Sequence, residues 1–332
     1  MAIIGAGSWG TALSIHAAHA GHSVHLWSRN LETVEQINLE RVNASYLSMY
    51  SIPERVVATH EMHEALRGAE CVLLAAPSHT LRELITRMLP DLNAQMLFIS
   101  ATKGIETQTG KRVSQILSEI VSKGFAPRFV CLSGPSFAQE VAAGRPTAVV
   151  AASSDLQDAQ LVQRALSFEN LRIYTNTDVV GTELGGSVKN VMAVAAGIVA
   201  GLDLGTNSVA ALITRGLAEI TRLALAQGAR IKTLIGLAGM GDLVLTCTGN
   251  LSRNRYVGQE LGRGRKLAEI TGRMREVAEG INTTLAVKRL ADKLDIEMPI
   301  TKVVYEVLYE GKAAGAAAHE LMTRPLRGEF ED

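Results

Sequence analysis

The 332-residue sequence is poor in aromatic residues and cysteine, and it has no excess charge of either sign. Phe, Trp and Tyr make up 4% of the chain, and Lys plus Arg equals Asp plus Glu at 33 each. A chain balanced in this way has no global field that attracts nucleic acid or an anionic membrane. We therefore expect no nucleic-acid partner, and any anionic ligand must be held by a few placed residues.

The sequence also gives no indication of disulfides, metal sites or membrane helices. The three cysteines, Cys71, Cys131 and Cys247, lie far apart without Cys-x-x-Cys spacing, which argues against a disulfide framework or a zinc site. The longest apolar run covers residues 191–202, whereas a membrane helix needs roughly 20 residues. We expect a soluble, cytoplasmic protein without a metal and without membrane insertion.

Strand-like and helix-like segments alternate through the first half of the chain. Continuous apolar runs such as Cys71–Ala76 are typical of parallel strands buried on both faces. Strands separated by helices predict an α/β fold with a doubly wound, mostly parallel sheet of the Rossmann type. The predicted strands are Met1–Ile4, Val24–Trp27, Cys71–Ala76, Met96–Ser100, Phe129–Leu132 and Thr147–Ala151.

The pattern becomes helical after about Asp178, and no convincing strand follows. A chain of this length suits two domains. We expect a dinucleotide-binding Rossmann-like domain over residues 1–180 and an all-α substrate-binding domain over residues 181–332. The predicted helical segments of the second part are 183–227, with a break at 201–207, and 255–262, 267–273, 284–294 and 300–309.

A glycine motif lies between the first strand and the first helix. Gly5, Gly7 and Gly10 form a G-x-G-x-x-G, in which the first permits a tight turn, the second lets the backbone approach a pyrophosphate and the third allows close helix–strand packing. The start of the following helix supplies free N–H donors to the phosphates. Within a βαβ unit, this motif predicts a dinucleotide site.

The end of the second strand bears on the choice of coenzyme. An NAD-specific site places Asp or Glu there to bind the ribose 2′-hydroxyl, but this chain has Ser28-Arg29-Asn30. A 2′-phosphate is therefore tolerated, and Arg29 could pair with it, although Arg29 could equally be a solvated turn residue. NADP(H) is favoured and NAD(H) remains possible.

Lys189 is the best candidate for the base that an alcohol dehydrogenation needs. It lies in a predicted helix whose neighbours one turn away, Gly185, Gly186 and Ala193, are small, which would leave a gap for substrate. Apolar surroundings would lower its pKa toward the working range. The alternative is a surface lysine whose amine reaches water, and the spacing alone does not decide between the two.

Several polar residues follow strand ends, where ligands bind in sheets of this kind. Lys103 follows one strand, and its charge would further lower the pKa of a second lysine in the cleft. Gly134 and Ser136 follow another strand and offer backbone and hydroxyl donors. His79 follows Pro77 and is a weaker acid–base candidate.

Residues 239–255 form a second polar stretch in the helical part. Ser252 is a plausible N-cap, with Arg253 and Asn254 in the first turn, and such a helix start either holds a phosphate or is simply capped. Asp242 could accept a hydrogen bond from a substrate hydroxyl or hold Lys189. Glu279 could approach the cofactor, although its spacing does not establish this.

The whole chain resembles bacterial NAD(P)-dependent glycerol-3-phosphate dehydrogenases. The resemblance covers several blocks in the same order along the sequence, which is far more specific than the glycine motif alone. These blocks are 5–13 (GAGSWGTAL), 101–106 (ATKGIE), 133–140 (SGPSFAQE), 184–190 (LGGSVKN), 214–219 (TRGLAE), 241–248 (GDLVLTCT), 252–255 (SRNR) and 297–301 (EMPIT).

The resemblance implies a set of roles. It implies that Lys189 is the proton acceptor, that the protein is a homodimer in the cytosol, and that its product supplies the backbone for phospholipid synthesis. The residues that it places on glycerol phosphate are Lys103, Gly134, Ser136, Asp242, Ser252, Arg253 and Asn254. Those that it places on the dinucleotide are Ser8, Trp9, Arg29, Lys103, Ala138, Arg253, Val277 and Glu279, beside the glycines of the motif.

Two other functions are compatible with parts of the pattern. A ketopantoate or β-hydroxyacid reductase also combines a Rossmann domain, a helical domain and a lysine base, but a carboxylate substrate does not need the phosphate grip at Ser252 to Asn254. A non-catalytic sensor of NAD(P)H would need neither that grip nor Lys189, and both are present here.

Overall fold

The computed structural model describes residues 1–274, 278–326 and 328–329. Its first part contains one eight-stranded sheet with the order β3-β2-β1-β4-β5-β6-β7-β8, in which every neighbouring pair is parallel except β6 and β7. The mostly parallel sheet predicted above is therefore confirmed. The strands are β1 (Ala2–Ile4), β2 (Val24–Trp27), β3 (Val56–Thr59), β4 (Cys71–Leu74), β5 (Leu97–Ser100), β6 (Arg128–Ser133), β7 (Thr147–Ala152) and β8 (Leu171–Asn176).

Helices cover both faces of this sheet, as a doubly wound fold requires. They are α1 (Ser8–His19), α2 (Leu31–Glu35), α3 (Met62–Leu66), α4 (Leu81–Met88), α5 (Val113–Val121), α6 (Ala138–Ala142) and α7 (Leu156–Leu166). On one face, α1 and α7 bury Leu13 and Val162 with one side of the strands. On the other, α3, α4 and α5 bury Ile85 and Leu117 around Phe98. The apolar sheet is thereby removed from water on both sides.

Strands β3 and β8 were not predicted from the sequence, and both are edge strands of the sheet. The reason is their pattern: in β8, Leu171 and Ile173 are buried while Arg172 and Tyr174 are exposed. A search for continuous apolar runs finds strands covered on both faces, whereas a half-exposed edge strand alternates. A third difference is that β7 runs antiparallel to β6, because the chain between them turns back through the short helix α6 rather than crossing over.

The second part of the described chain is helical and contains no strand after Asn176. Its helices are α8 (Val179–Gly201), α9 (Gly205–Ala226), α10 (Ile231–Leu234), α11 (Asp242–Thr248), α12 (Arg253–Gly262), α13 (Leu267–Thr271), α14 (Glu279–Lys293), α15 (Pro299–Tyr309) and α16 (Ala314–Met322). Two residues separate β8 from α8, and α8 supplies much of the core of this part. The predicted domain boundary after residue 180 stays a prediction.

Two stretches, Val179–Gly201 and Ile231–Thr248, are long and apolar enough to cross a membrane by length and composition. The apolar character of the first has a clear cause, since 83% of its most apolar window is buried inside the protein. The second is 44% buried, and it combines α10, a π-helical turn over Leu237–Gly241 and α11.

Glycines let α8 and α12 approach each other at backbone distance. A β-carbon added at Gly258 of α12 would overlap the carbonyl oxygen of Val194 on α8, and one at Gly197 would overlap the carbonyl oxygen of Arg255. A β-carbon added at Gly262 would lie 2.6 Å from the carbonyl oxygen of Ile198. Because the obstacles are backbone atoms, no rotamer change can relieve such a clash. The glycines therefore set the distance between the two helices.

This packing predicts that Gly258→Ala destabilises the protein by about 2–3 kcal/mol, the usual cost of overfilling a tight contact. Gly315→Ala is the matched control, because Gly315 lies in the first turn of α16 and no atom is within 4 Å of its added β-carbon. That change should stabilise the helix by about 0.5 kcal/mol. Urea unfolding of both variants measures the difference, and equal stabilities would contradict the assigned packing.

Candidate active site

One cleft of about 580 Å³ runs along the carboxyl ends of the parallel strands and is closed on the far side by the helical part. Most of the predicted site residues line it. They are Gly5, Gly7, Ser8, Trp9, Arg29, Lys103, Ser136, Ala138, Lys189, Ser252, Arg253, Asn254 and Glu279. Gly10, Gly134 and Asp242 lie just behind its surface, and Val277 lies outside the described residues.

The glycine motif has the geometry that a dinucleotide pyrophosphate requires. Gly5 has φ +116°, and a β-carbon there would lie 2.9 Å from the carbonyl oxygen of Ala75, so only glycine makes this turn without strain. A β-carbon at Gly10 would overlap the carbonyl oxygen of Gly5, whereas one at Gly7 would meet nothing within 4 Å. Gly7 is also the N-cap of α1 and provides no side-chain cap. The first amides of α1 and the open backbone at Gly7 fit a bound diphosphate.

Lys189 is a buried residue of α8, only 6% exposed, and not a surface lysine. Its Nζ donates hydrogen bonds to Asp242 Oδ1 and to Thr246 Oγ1, both at 2.6 Å. The pKa of Lys189 is lowered to about 8, mainly by burial; the charge of Lys103 contributes to this lowering, and Asp242 opposes it. The amine can therefore exchange a proton near neutral pH.

Asp242 joins two lysines that come from different parts of the fold. Its Oδ2 accepts a hydrogen bond from Lys103 Nζ at 2.6 Å, while its Oδ1 accepts the one from Lys189. The Asp242 carboxylate is 1% exposed. Lys103 Nζ also donates to the carbonyl oxygen of Gly134 at 3.1 Å. Gly134 therefore presents an acceptor that positions Lys103, where the sequence had suggested donors.

The expectation that Gly185, Gly186 and Ala193 leave a gap for substrate is wrong. A β-carbon at Gly185 would lie 2.7 Å from the carbonyl oxygen of Ala238, and one at Gly186 would contact the hydroxyl of Ser133. Ala193 is fully buried in the core of the helical part. These small residues admit neighbouring protein, and the space beside Lys189 is formed by the strand ends.

The start of α12 faces the same cleft. Ser252 is its N-cap, as predicted, and its hydroxyl accepts a hydrogen bond from Arg255 N at 3.2 Å. Asn254 donates to Asn190 Oδ1 at 3.0 Å and accepts from Gly280 N at 2.8 Å, which connects α12 to α8 and α14. A hydroxyl, a guanidinium and a helix N-terminus thus converge at one end of the cleft.

Glu279, the first residue of α14, connects the helical part to the loop after β4. Its Oε2 accepts a hydrogen bond from the Ser78 hydroxyl at 2.6 Å, and burial raises the pKa of this carboxyl. His79, the weaker acid–base candidate, is exposed in a 3₁₀ turn and does not line the cleft. No group of three or more His, Cys, Asp or Glu side chains within residues 1–274, 278–326 and 328–329 could hold a metal ion.

Two residues of the cleft wall, Asn190 and Thr246, were not singled out from the sequence. Thr246 follows Asp242 by four residues on α11, so the two share one helix face. That spacing was a usable signal once Asp242 was suspected. Asn190 directly follows Lys189, but only the packing of α8 against α12 shows that it faces the cleft.

Comparison with known proteins assigns the chain to a family. The models for the N-terminal and C-terminal parts of NAD-dependent glycerol-3-phosphate dehydrogenase match residues 1–159 and 178–319. The chain belongs to this family. A glycerol-3-phosphate dehydrogenase [NAD(P)+] of Koribacter versatilis is 56% identical over 99% of this chain and 98% of the relative. One of Citrifermentans bemidjiense is 51% identical over the same shares of the two chains.

A solved structure supports the same assignment. The crystal structure of glycerol-3-phosphate dehydrogenase from Coxiella burnetii matches with a TM-score of 0.94 and 42% identity. The match covers 97% of this chain and 98% of that one. The family membership therefore extends over both the sheet and the helical part.

The lysine–aspartate arrangement of this family member predicts a specific pH dependence for Asp242→Asn. Removing the buried carboxylate leaves two lysines facing each other without a counter-charge, and we expect a loss of about 3 kcal/mol at about pH 7. The pKa of Lys189 then falls below about 8, so the folded variant releases a proton that the unfolded chain retains. Its stability therefore rises relative to the parent protein between about pH 7 and about pH 9.

Urea unfolding at both pH values measures this effect. The control is Asp292→Asn, which removes the exposed partner of Lys288 on α14 and should cost less than about 1 kcal/mol at either pH. A loss for Asp242→Asn that matches the control, or that does not shrink with rising pH, would contradict the assigned pairing.

Proposed function

We propose that this chain catalyses the reversible oxidation of sn-glycerol 3-phosphate to dihydroxyacetone phosphate, with NADP(H) or NAD(H) as coenzyme. One observation carries the proposal: the buried Lys189–Asp242 pair opens on the same cleft as the glycine motif and the start of α12. A proton acceptor, a diphosphate site and an anion site are the three parts that this reaction needs.

The dinucleotide would lie along the strand ends. Gly5, Gly7 and the amides at the start of α1 would hold its pyrophosphate, and Trp9 and Ala138 flank that position in the cleft. Arg29 would face the ribose 2′-position and favour a phosphate there, while NAD(H) fits the same site. When bound, the coenzyme supplies the hydride acceptor at its nicotinamide.

The glycerol phosphate would lie between the lysines and the start of α12. Ser252, Arg253 and Asn254 would bind the phosphate, because a guanidinium and a helix N-terminus both suit an oxyanion. Ser136 and Lys103 would contact the hydroxyl groups. The carbinol carbon would then lie beside Lys189, with Glu279 across the cleft on the coenzyme side.

Lys189 would take the proton of the C2 hydroxyl as C2 loses its hydride, and would return that proton in the reverse direction. Asp242 and Thr246 hold the amine in place, and Asp242 stabilises the ammonium that forms. Lys103 adds positive charge next to the developing alkoxide. Most of the rate gain would come from this positioning and from fixed charges in a site with little water.

The chain would act in the cytoplasm as a homodimer and would supply glycerol 3-phosphate for phospholipid synthesis. This part of the proposal is supported by the family to which the chain belongs. Light scattering of the purified protein tests the dimer, and a monomer at micromolar concentration would remove it.

The direct test is a steady-state assay of NADPH and NADH oxidation with dihydroxyacetone phosphate. We expect turnover with both coenzymes and little or none when ketopantoate replaces dihydroxyacetone phosphate, because ketopantoate offers no phosphate to the start of α12. Faster turnover of ketopantoate would favour the reductase alternative. Coenzyme binding without oxidation of either substrate would favour the sensor.

Replacing the base should separate chemistry from binding. Lys189→Ala should lower kcat by at least about a hundredfold, in the range usual for a lost acid–base group, with coenzyme affinity little changed.

In the parent enzyme, kcat/KM for glycerol 3-phosphate should rise with pH through about 8, the pKa of Lys189, because the amine must be neutral. For the reverse reaction kcat/KM should fall through the same range. Stopped-flow or steady-state rates measure both, and near-normal turnover of Lys189→Ala would remove this residue from the mechanism.

A further inference from the structure

Besides Arg29, the cleft has an arginine that comes from α4 and lies beside the last residue of β2. Arg87, in the last turn of α4, lines the cleft together with Trp27 and Arg29. Its guanidinium carbon lies 5.6 Å from the centroid of the Trp27 ring. Trp27 is the last residue of β2, and in folds of this type the ribose 2′-position of the coenzyme lies at the end of that strand.

We propose that Arg87 is a second coenzyme-specificity residue, which binds the 2′-phosphate of NADP(H) from the side of α4. The inference rests on the proposed function. Coenzyme specificity in such folds is ordinarily set by the residues at the end of β2. Arg87 would add a determinant from helix α4, about 60 positions later in the sequence.

Arg87 is held in place and still available to a ligand. The Trp27 ring is 4% exposed, and its Nε1 donates a hydrogen bond to the carbonyl oxygen of His60 at 2.9 Å. A guanidinium over a fixed indole gains a cation–π attraction without using its N–H donors. Within the described residues Arg87 forms no ion pair with Asp or Glu, and it is exposed on the cleft side.

The charge around the 2′-position favours a phosphate. Residues 28–30 contain no carboxylate, and Arg29 and Arg87 place two planar guanidinium groups on the lining, each able to bind phosphate through two parallel hydrogen bonds. Glu83 lies one turn before Arg87 on α4 and lines the same cleft. Its carboxylate opposes a 2′-phosphate, so Glu83 and Arg87 should shift coenzyme preference in opposite directions.

The test compares Arg87→Gln, Arg87→Lys and Glu83→Gln in the full-length enzyme. For Arg87→Gln, we expect the KM for NADPH to rise about tenfold, the effect of one lost charge-assisted hydrogen bond, with the KM for NADH and both kcat values changed less than about twofold. Arg87→Lys should fall between, because lysine keeps the charge but not the planar fork. Glu83→Gln should lower the KM for NADPH relative to that for NADH.

A second measurement isolates the phosphate itself. Adenosine 2′,5′-bisphosphate and 5′-AMP differ only at the 2′-position, so Arg87→Gln should weaken binding of the first about tenfold and leave the second unchanged by calorimetry. Arg164→Gln is the control for net charge, because Arg164 is exposed near the end of α7 and away from the cleft. It should behave like the parent enzyme in every assay.

Equal losses for NADPH and NADH, or for the two nucleotides, would mean that Arg87 only supports the Trp27 ring, and would overturn the proposal. Unchanged constants would overturn it as well. If the parent protein oxidised neither coenzyme with dihydroxyacetone phosphate, the proposed function would fail, while the two nucleotides would still test Arg87 by binding alone.

Discussion

A single buried carboxylate, that of Asp242, holds together the parts on which the chemistry depends. Two lysines donate to it, Lys103 from the loop after β5 and Lys189 from the middle of α8. A carboxylate that is 1% exposed is stable only when its oxygens are paired. The same three charges therefore connect the helical part to the sheet, and burial of this cluster lowers the pKa of Lys189 to about 8. One arrangement therefore stabilises the interface and leaves a buried amine that can exchange a proton near neutral pH.

The glycines make this arrangement possible by removing side chains where backbones must meet. Gly258 and Gly197 bring α12 against α8, which places the start of α12 at the same cleft as Lys189. Gly5 and Gly10 likewise allow the start of α1 to pack closely against the turn that follows β1. At the glycine motif the cleft is bounded by backbone atoms and by the start of α1, which suit phosphate groups.

The strands that could be predicted from the sequence are those that are buried on both faces. Central strands such as Cys71–Leu74 are covered on both faces, so they read as continuous apolar runs and were found; the edge strands β3 and β8 alternate and were missed. The turn, the open backbone and the close helix–strand contact of the G-x-G-x-x-G could be predicted, because each of its glycines meets a requirement of the local backbone. The small residues around Lys189 were wrongly interpreted as a gap for substrate, because a sequence does not show whether a ligand or a neighbouring segment fills such a gap. Here Ala238 and Ser133 fill it.

The sequence by itself determined the kind of fold, the glycine motif and, through its resemblance to a family, a set of predicted site residues most of which line one cleft. These depend on local periodicity, on backbone requirements a few residues long, or on blocks that can be read in order. Only the tertiary structure decided which charges meet: Lys103 and Asp242 are 139 positions apart, and Lys189 and Asp242 are 53 apart. It alone also placed Arg87 over Trp27. Such contacts depend on strand order and helix packing, which bring distant residues together and set how deeply each charge is buried.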